Sequence, residues 1–166
     1  MSALLAREVE AVQNPGLGAV ILWRFAIGYA STRRAPQSTP IPVLFLPLPI
    51  VFHEETFYLL TKTRAGLRGF AGKFSEATVS ASDVLLSLER RARTLRPLSL
   101  VSLRFAVSSR LLFIDRTTAE VTALSRTVPA NIPESVRPLL RQAEKLGRWA
   151  GEVTLFELTN LLRVGI

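Results

Sequence analysis

Residues 17–30 carry one charge, Arg24, in an otherwise uncharged and largely apolar run, and this stretch limits what the chain can fold into. Asn14-Pro15 introduces it. Asn accepts from the orphan N–H groups of a first helical turn, and Pro at the first helical position gives up an N–H that would have had no partner. The pair predicts a helix from Pro15 to about Tyr29. That helix is apolar nearly all round, not along one stripe, so it has to be buried in a domain centre or in a subunit interface. Trp23, one of two tryptophans in the chain, lies in its middle.

The rest of the chain is long enough to cover such a helix. A length of 166 residues suits one domain with a real core, and 48% hydrophobic against 20% charged residues is the balance of a packed globular chain. The absence of cysteine rules out a disulfide framework and thiolate zinc sites. Residues 17–30 are too few to span a bilayer, and residues 41–52 contain three prolines. The first dozen residues hold Glu8 and Glu10 where a secretory signal would be basic. A soluble, cytoplasmic protein without membrane association is expected.

Along the chain, residues 3–12 predict a short helix and 31–42 a polar, Pro-rich loop. Pro47 and Pro49 remove two ladder donors and oppose a regular helix, so 43–52 is expected as a buried extended segment or an edge strand. A helix is expected from Glu54 to before Gly66, a short one over 67–74, and a small-residue linker over 75–82. Residues 83–95 predict an amphipathic helix with Val84, Leu85, Leu88 and Ala92 inward and Arg90, Arg91 and Arg93 outward. Arg96-Pro97 is expected to end it before a further helix at 98–108. Two short apolar runs at 111–115 and 120–124 predict a β-hairpin. A long helix over 134–150 would end at Gly151, with Pro138 in its first turns. Thr154 and Glu157 have capping-box spacing for a last helix to about Arg163. The fold class is mainly α with a small β-hairpin, an α+β chain. Helices followed by a hairpin over 54–125 have the order of a winged-helix core. Residues 1–53 and 126–166 would pack on it as helical or extended flanks of one domain, 1–166.

The net charge of +8 is concentrated. Residues 61–110 hold ten basic side chains and three acidic ones, +7 in all, which leaves the remainder nearly balanced. Such a face implies an anionic partner: nucleic acid, an acidic protein surface or lipid headgroups. Arginine supplies 18 of the 21 basic residues, and its planar fork suits phosphate and carboxylate alike. Arg90, Arg91, Arg93 and Arg96 are the candidate anionic-partner surface, to be weighed against a solvated helix face in which Glu89 and Arg93 pair at i,i+4. The helix after them, Leu-Ser-Leu-Val-Ser-Leu-Arg-Phe-Ala-Val, lacks the Asn or Gln that reads adenine, which argues against base-specific contacts and leaves non-specific DNA binding open.

Little else in the chain could carry chemistry. There are one His and two Asp. His53-Glu54-Glu55 lacks the second His of a helical zinc site and reads as a helix start, with its glutamates at the positive end of the dipole. Asp83 reads as a helix-start residue and Asp115 as a turn residue. Gly66, Gly69 and Gly72 lack the phosphate-loop ending and the dinucleotide pattern, and no Ser lies in a Gly-x-Ser-x-Gly elbow. No catalytic residue, metal or cofactor is expected, and the chain is read as a non-enzyme.

Certain residues carry a resemblance: Asn14, Pro15, Gly18, the Leu22-Trp23-Arg24-Phe25 block, the stretch ending Pro49-Ile-Val-Phe-His53, and Ala143-Glu144 through Gly147-Arg148-Trp149. In order and spacing they resemble the middle component of three-component ABC (ABC-3C) systems. In these bacterial defence operons a Rad50- or SMC-like ABC ATPase is paired with a small middle protein and an effector. The resemblance implies an adaptor that links the ATPase to the effector, and the small subunit of Lamassu-type antiphage systems looks like a relative. The alternative from the residues alone is a small winged-helix DNA-binding protein or transcription regulator.

Overall fold

In the computed structural model residues 14–32, 38–76 and 80–166 are described, with side chains outside 74–86. Asn14 opens helix α1, Pro15–Ala30, and its side chain accepts from the Leu17 N–H at 2.9 Å. As its composition demands, α1 is covered on all sides: Ala19, Ile21, Leu22, Trp23 and Phe25 have no exposed surface. Helix α5, Ser80–Ser108, packs along one side of it and helix α6, Arg137–Gly151, along another.

Glycines set both contacts. Facing Gly18, the Ser102 hydroxyl of α5 leaves no space, since a Cβ there would lie 2.1 Å from Ser102 Oγ. Against α6 the fit is reciprocal. A Cβ on Gly28 would lie 2.0 Å from the Glu144 carbonyl oxygen, and one on Gly147 would lie 2.1 Å from the Phe25 carbonyl oxygen. Arg24 meets Glu144, Phe25 meets Gly147, and Tyr29 meets Gly151, so α1 and α6 run side by side in the same direction, backbone against backbone. Thr32 ends the seam by donating to the Gly151 carbonyl at 3.0 Å.

Between α1 and α5 the chain forms strand β1 (Thr39–Pro40), a 3-10 turn (Ile41–Phe45), and helices α2 (Pro47–Val51), α3 (Glu54–Lys62) and α4 (Gly66–Glu76). After α5 come strands β2 (Leu112–Asp115) and β3 (Glu120–Ala123); α6 and a last helix, α7 (Leu155–Leu162), close the chain. The expected hairpin is present, with Leu112 opposite Ala123 and Asp115 opposite Glu120. Asp115 accepts from the Thr117 N–H at 2.8 Å, the turn role expected of it. Thr154 accepts from the Glu157 N–H at 3.2 Å and caps α7, and Arg163 leaves the helix in a left-handed conformation, φ 51°.

Several expectations are corrected. Residues 43–52 are neither extended nor an edge strand but a 3-10 turn and the short helix α2. Pro47 and Pro49 both fall in the first turn of α2, whose N–H groups have no intrahelical acceptor, so neither ring removes a bond. The loop at 31–42 contains β1, which pairs with β3 on the edge opposite β2 to make a three-stranded antiparallel sheet. The break expected at Arg96-Pro97 is absent: α5 is one helix of 29 residues with Pro97 inside it. Pro97 lies on the exposed side, where water can satisfy the carbonyl it deprives, while Leu88, Ala92, Leu95, Leu103 and Ala106 continue one buried face past it. The segment expected as a separate helix at 98–108 is therefore the second half of α5. Helix α6 starts at Arg137, not Glu134, which puts Pro138 in the first turn. The expected linker at 75–82 is reduced, since Ser75 and Glu76 end α4 and α5 begins at Ser80. The expected helix at 3–12, the linker's residues 77–79, and the side chains of Asp83, Val84 and Leu85 lie outside the described part.

A methyl group on Gly147 would have to push two backbones apart. Gly147→Ala is expected to cost about 3 kcal/mol, at the upper end of overpacking effects, and to lower the melting temperature by roughly 6–12 °C. Gly72→Ala, with nothing described within 4 Å of the new Cβ, should instead be neutral or gain up to about 1 kcal/mol. Equal melting of the two variants in thermal unfolding would remove the close-contact account of the α1–α6 seam. Trp23→Ala, which empties a fully buried site, should lose about 3–5 kcal/mol in the same assay.

Candidate interaction surfaces

The block residues shared with the resemblance are structural. Trp23 is sealed in the core, and its indole Nε1 donates to the Ser125 carbonyl at 2.7 Å, tying α1 to the chain that leaves the hairpin. Arg24, the lone charge of α1, pairs with Glu144 of α6 and donates to the Arg126 carbonyl at 3.2 Å. Glu144 also receives Arg148 at 3.1 Å, one turn further along α6. The one charged position of the buried helix is thus neutralised by the helix it packs on, as burial of an ion requires. Gly147 supplies the seam. Trp149 packs tilted against Phe70 of α4, ring centroids 6.2 Å apart.

His53 is the N-cap of α3, where its ring accepts from the Thr56 N–H at 3.3 Å and Glu54 and Glu55 occupy the first turn. Thr56 is itself buried and donates to the Ile50 carbonyl at 2.8 Å. Among the described residues no group of three His, Asp or Glu side chains could hold a metal ion, and no single helix is long and apolar enough to cross a membrane.

Of the four arginines expected to share a surface, the structure keeps three together. Arg90, Arg93 and Arg96 are exposed on α5. Arg91 turns inward: it donates to the Ser87 hydroxyl at 2.7 Å and to the Pro49 carbonyl at 3.3 Å, holding α2 against α5. Arg93 pairs with Glu89 at 2.6 Å, and Arg96 sits 5.0 Å from the centre of the Phe45 ring. The same exposed face continues past Pro97 with a different character. Leu100, Val101 and Phe105 are each about half exposed, at 49, 50 and 49%, and Arg104 lies among them. At 100° per residue, Arg93, Leu100 and Arg104 fall within one narrow sector of the helix. The result is an apolar strip edged by guanidinium groups.

A second basic surface went unread in the sequence. On α6, Arg137, Arg141, Lys145 and Arg148 recur at i, i+4, i+8 and i+11, opposite the buried Leu140, Ala143, Leu146, Gly147 and Ala150. The window of residues 61–110 hid this row, because outside it the acids and bases nearly cancel in sequence although they do not mix in space. The spacing at 137–148 was the signal that could have found it. The row meets further cations at the end of α3. Lys145 donates to the Leu60 carbonyl at 2.8 Å and Lys73 of α4 to the Lys62 carbonyl at 3.1 Å, so two ammonium groups cap carbonyls two residues apart at the end of α3, with Arg64 of the following loop nearby. Burial against the Trp149 ring, 4.8 Å from the ammonium, and the charges of Lys73, Arg64 and Arg148 push the Lys145 pKa below the usual lysine value. A shallow cleft of about 640 Å³ opens beyond Arg148, bounded by Arg68 and Glu157, which pair with each other.

Neither curated proteins nor solved structures give a match to this chain. A protein family does: residues 2–166 match the ABC-three component (ABC-3C) system Middle Component 3 family. With essentially the whole chain matched, this protein belongs to the Middle Component 3 family, a middle component of an ABC-3C defence system that works with partner proteins.

Proposed function

We propose that the protein is a non-enzymatic, cytoplasmic adaptor of its defence system, joining an SMC- or Rad50-like ABC ATPase to an effector. The observation that carries this reading is the strip on α5. A helix that buries one face in its own core and leaves Leu100, Val101 and Phe105 half exposed on the other has an apolar surface that water does not favour and a partner protein would cover. Arg93 and Arg96 flank the strip and Arg104 lies within it, so a partner helix or loop whose apolar surface carries acidic groups fits it best. Kinship with the small subunit of Lamassu-type systems belongs to the same proposal.

The regulator alternative is less well supported. A winged-helix regulator would present this stretch to DNA, and Leu100, Val101 and Phe105 offer base edges no donor or acceptor pair. On the non-enzyme side, His53 caps a helix, Asp115 holds a turn, and Glu89, Glu134, Glu144 and Glu157 pair with arginines, which supports a role through binding and not through chemistry.

Two outcomes are expected. Leu100→Asp combined with Phe105→Asp should abolish co-purification with the ATPase or the effector while leaving the melting temperature within a few degrees of wild type. Retained co-purification would reject α5 as the docking surface. His53→Ala should lose about 1 kcal/mol through the missing cap and keep defence activity in a plaque assay. A well-folded His53→Ala protein without defence activity would reject the non-enzyme reading at this residue.

A further inference from the structure

The solvent face of α6 is a row of cations with no apolar member. From Arg137 to Arg148 it runs for about 16 Å, a length that parallels roughly ten phosphate charges of a duplex. At its far end the row is widened by Lys73 of α4 and by Arg64 of the loop before it, both close enough to act on the charge of Lys145. Of the acids nearby, Glu134 meets Arg137 at 3.1 Å, Glu144 is held between Arg24 and Arg148, and Glu152 stands just past the end of α6 in the cleft beside Arg148. Arg141, Lys145, Arg64 and Lys73 have no acidic partner within salt-bridge distance among the described residues.

We infer that this face, distinct from the strip on α5, binds the phosphate backbone of nucleic acid without reading sequence. The kind of partner follows from what the face lacks. A protein interface has an apolar centre depleted of charge, and a membrane-surface helix sets large apolar side chains into the acyl boundary. Among the described residues, none of the exposed large apolar side chains lies on the solvent face of α6. A straight, arginine-rich row without such a centre matches contacts that position a backbone. The lysines that cap α3 fix the far end of the row, so its charges are held in place before a ligand arrives. The inference does not rest on the adaptor reading, since the two surfaces use different helices.

The test uses the full chain, fluorescence anisotropy, and two labelled probes of unrelated sequence: a 20-base-pair DNA duplex and a 20-nucleotide single strand. At low salt the wild type should bind at least one of them, with affinity falling steeply as salt rises. Arg137→Gln with Arg141→Gln should weaken binding at least tenfold at low salt and flatten the log–log salt slope by about 1.8, two phosphates at about 0.9 each. Arg64→Gln, outside α6, should weaken binding as well and flatten the slope by about 0.9. Arg90→Gln with Arg93→Gln should keep the wild-type slope. Binding to neither probe, or equal slopes in all four proteins, overturns the inference. So does an α6 variant that loses its partner proteins in a pull-down while binding DNA like wild type, because the face would then be a protein interface. Tighter binding to phosphatidylserine vesicles than to either probe would also overturn it. The α6 and Arg64 variants replace exposed side chains, and unchanged melting curves establish that any loss is one of contact.

Discussion

Two helices touching backbone to backbone organise this molecule. Gly28 and Gly147 each sit where a Cβ would meet the other helix's carbonyl within about 2 Å. Side chains normally hold helices 8–10 Å apart, and removing them here lets α6 lie directly along α1. Everything else follows the seam. Arg24 can reach Glu144 because the helices are parallel and close, and Glu144 in turn holds Arg148. With α6 set against α1 through Gly147 and Gly151, its outer side is left to Arg137, Arg141, Lys145 and Arg148. The opposite side of α1 repeats the device with Gly18 and Ser102, which seats α5.

The centre of this arrangement was legible because its signals are local and strong. Asn14-Pro15 fixes a helix start through hydrogen bonds that any context leaves available, and an apolar run on all faces has no option but burial. The hairpin at 112–123 and the Thr154 cap were readable for the same reason. Prolines misled where their cost depends on position. Pro47 and Pro49 read as helix breakers, yet a first turn tolerates them. Pro97 reads as a boundary, yet the buried face of α5 continues past it, and the lost bond faces water. Local chemistry names the penalty of a proline, and only the fold says whether that penalty falls anywhere that matters.

Surfaces were harder to read than the core. A charge count along the chain found the arginines of α5 but treated Arg91 as one of them, although it is turned to the Pro49 carbonyl. The same count overlooked α6, where the arginines and Lys145 line one face while their compensating acids, Glu144 and Glu152, lie at its flank and end. Charge matters by face, and faces belong to helices and not to windows of sequence. The half-exposed Leu100, Val101 and Phe105 were equally hidden, because nothing in their order distinguishes them from the buried Leu103 and Ala106 between and beyond them.

The burial of α1 also has a temporal side. Of the described helices the ribosome delivers this one first, and the two that cover it end only at Ser108 and Gly151. At synthesis rates of 5–20 residues per second, the roughly 120 residues separating the end of α1 from the end of α6 take roughly 6–24 s. For that interval an almost wholly apolar helix lacks at least one of the two helices that cover it. A chain whose central helix precedes its last cover by roughly 120 residues completes its core late, however quickly the separate parts form.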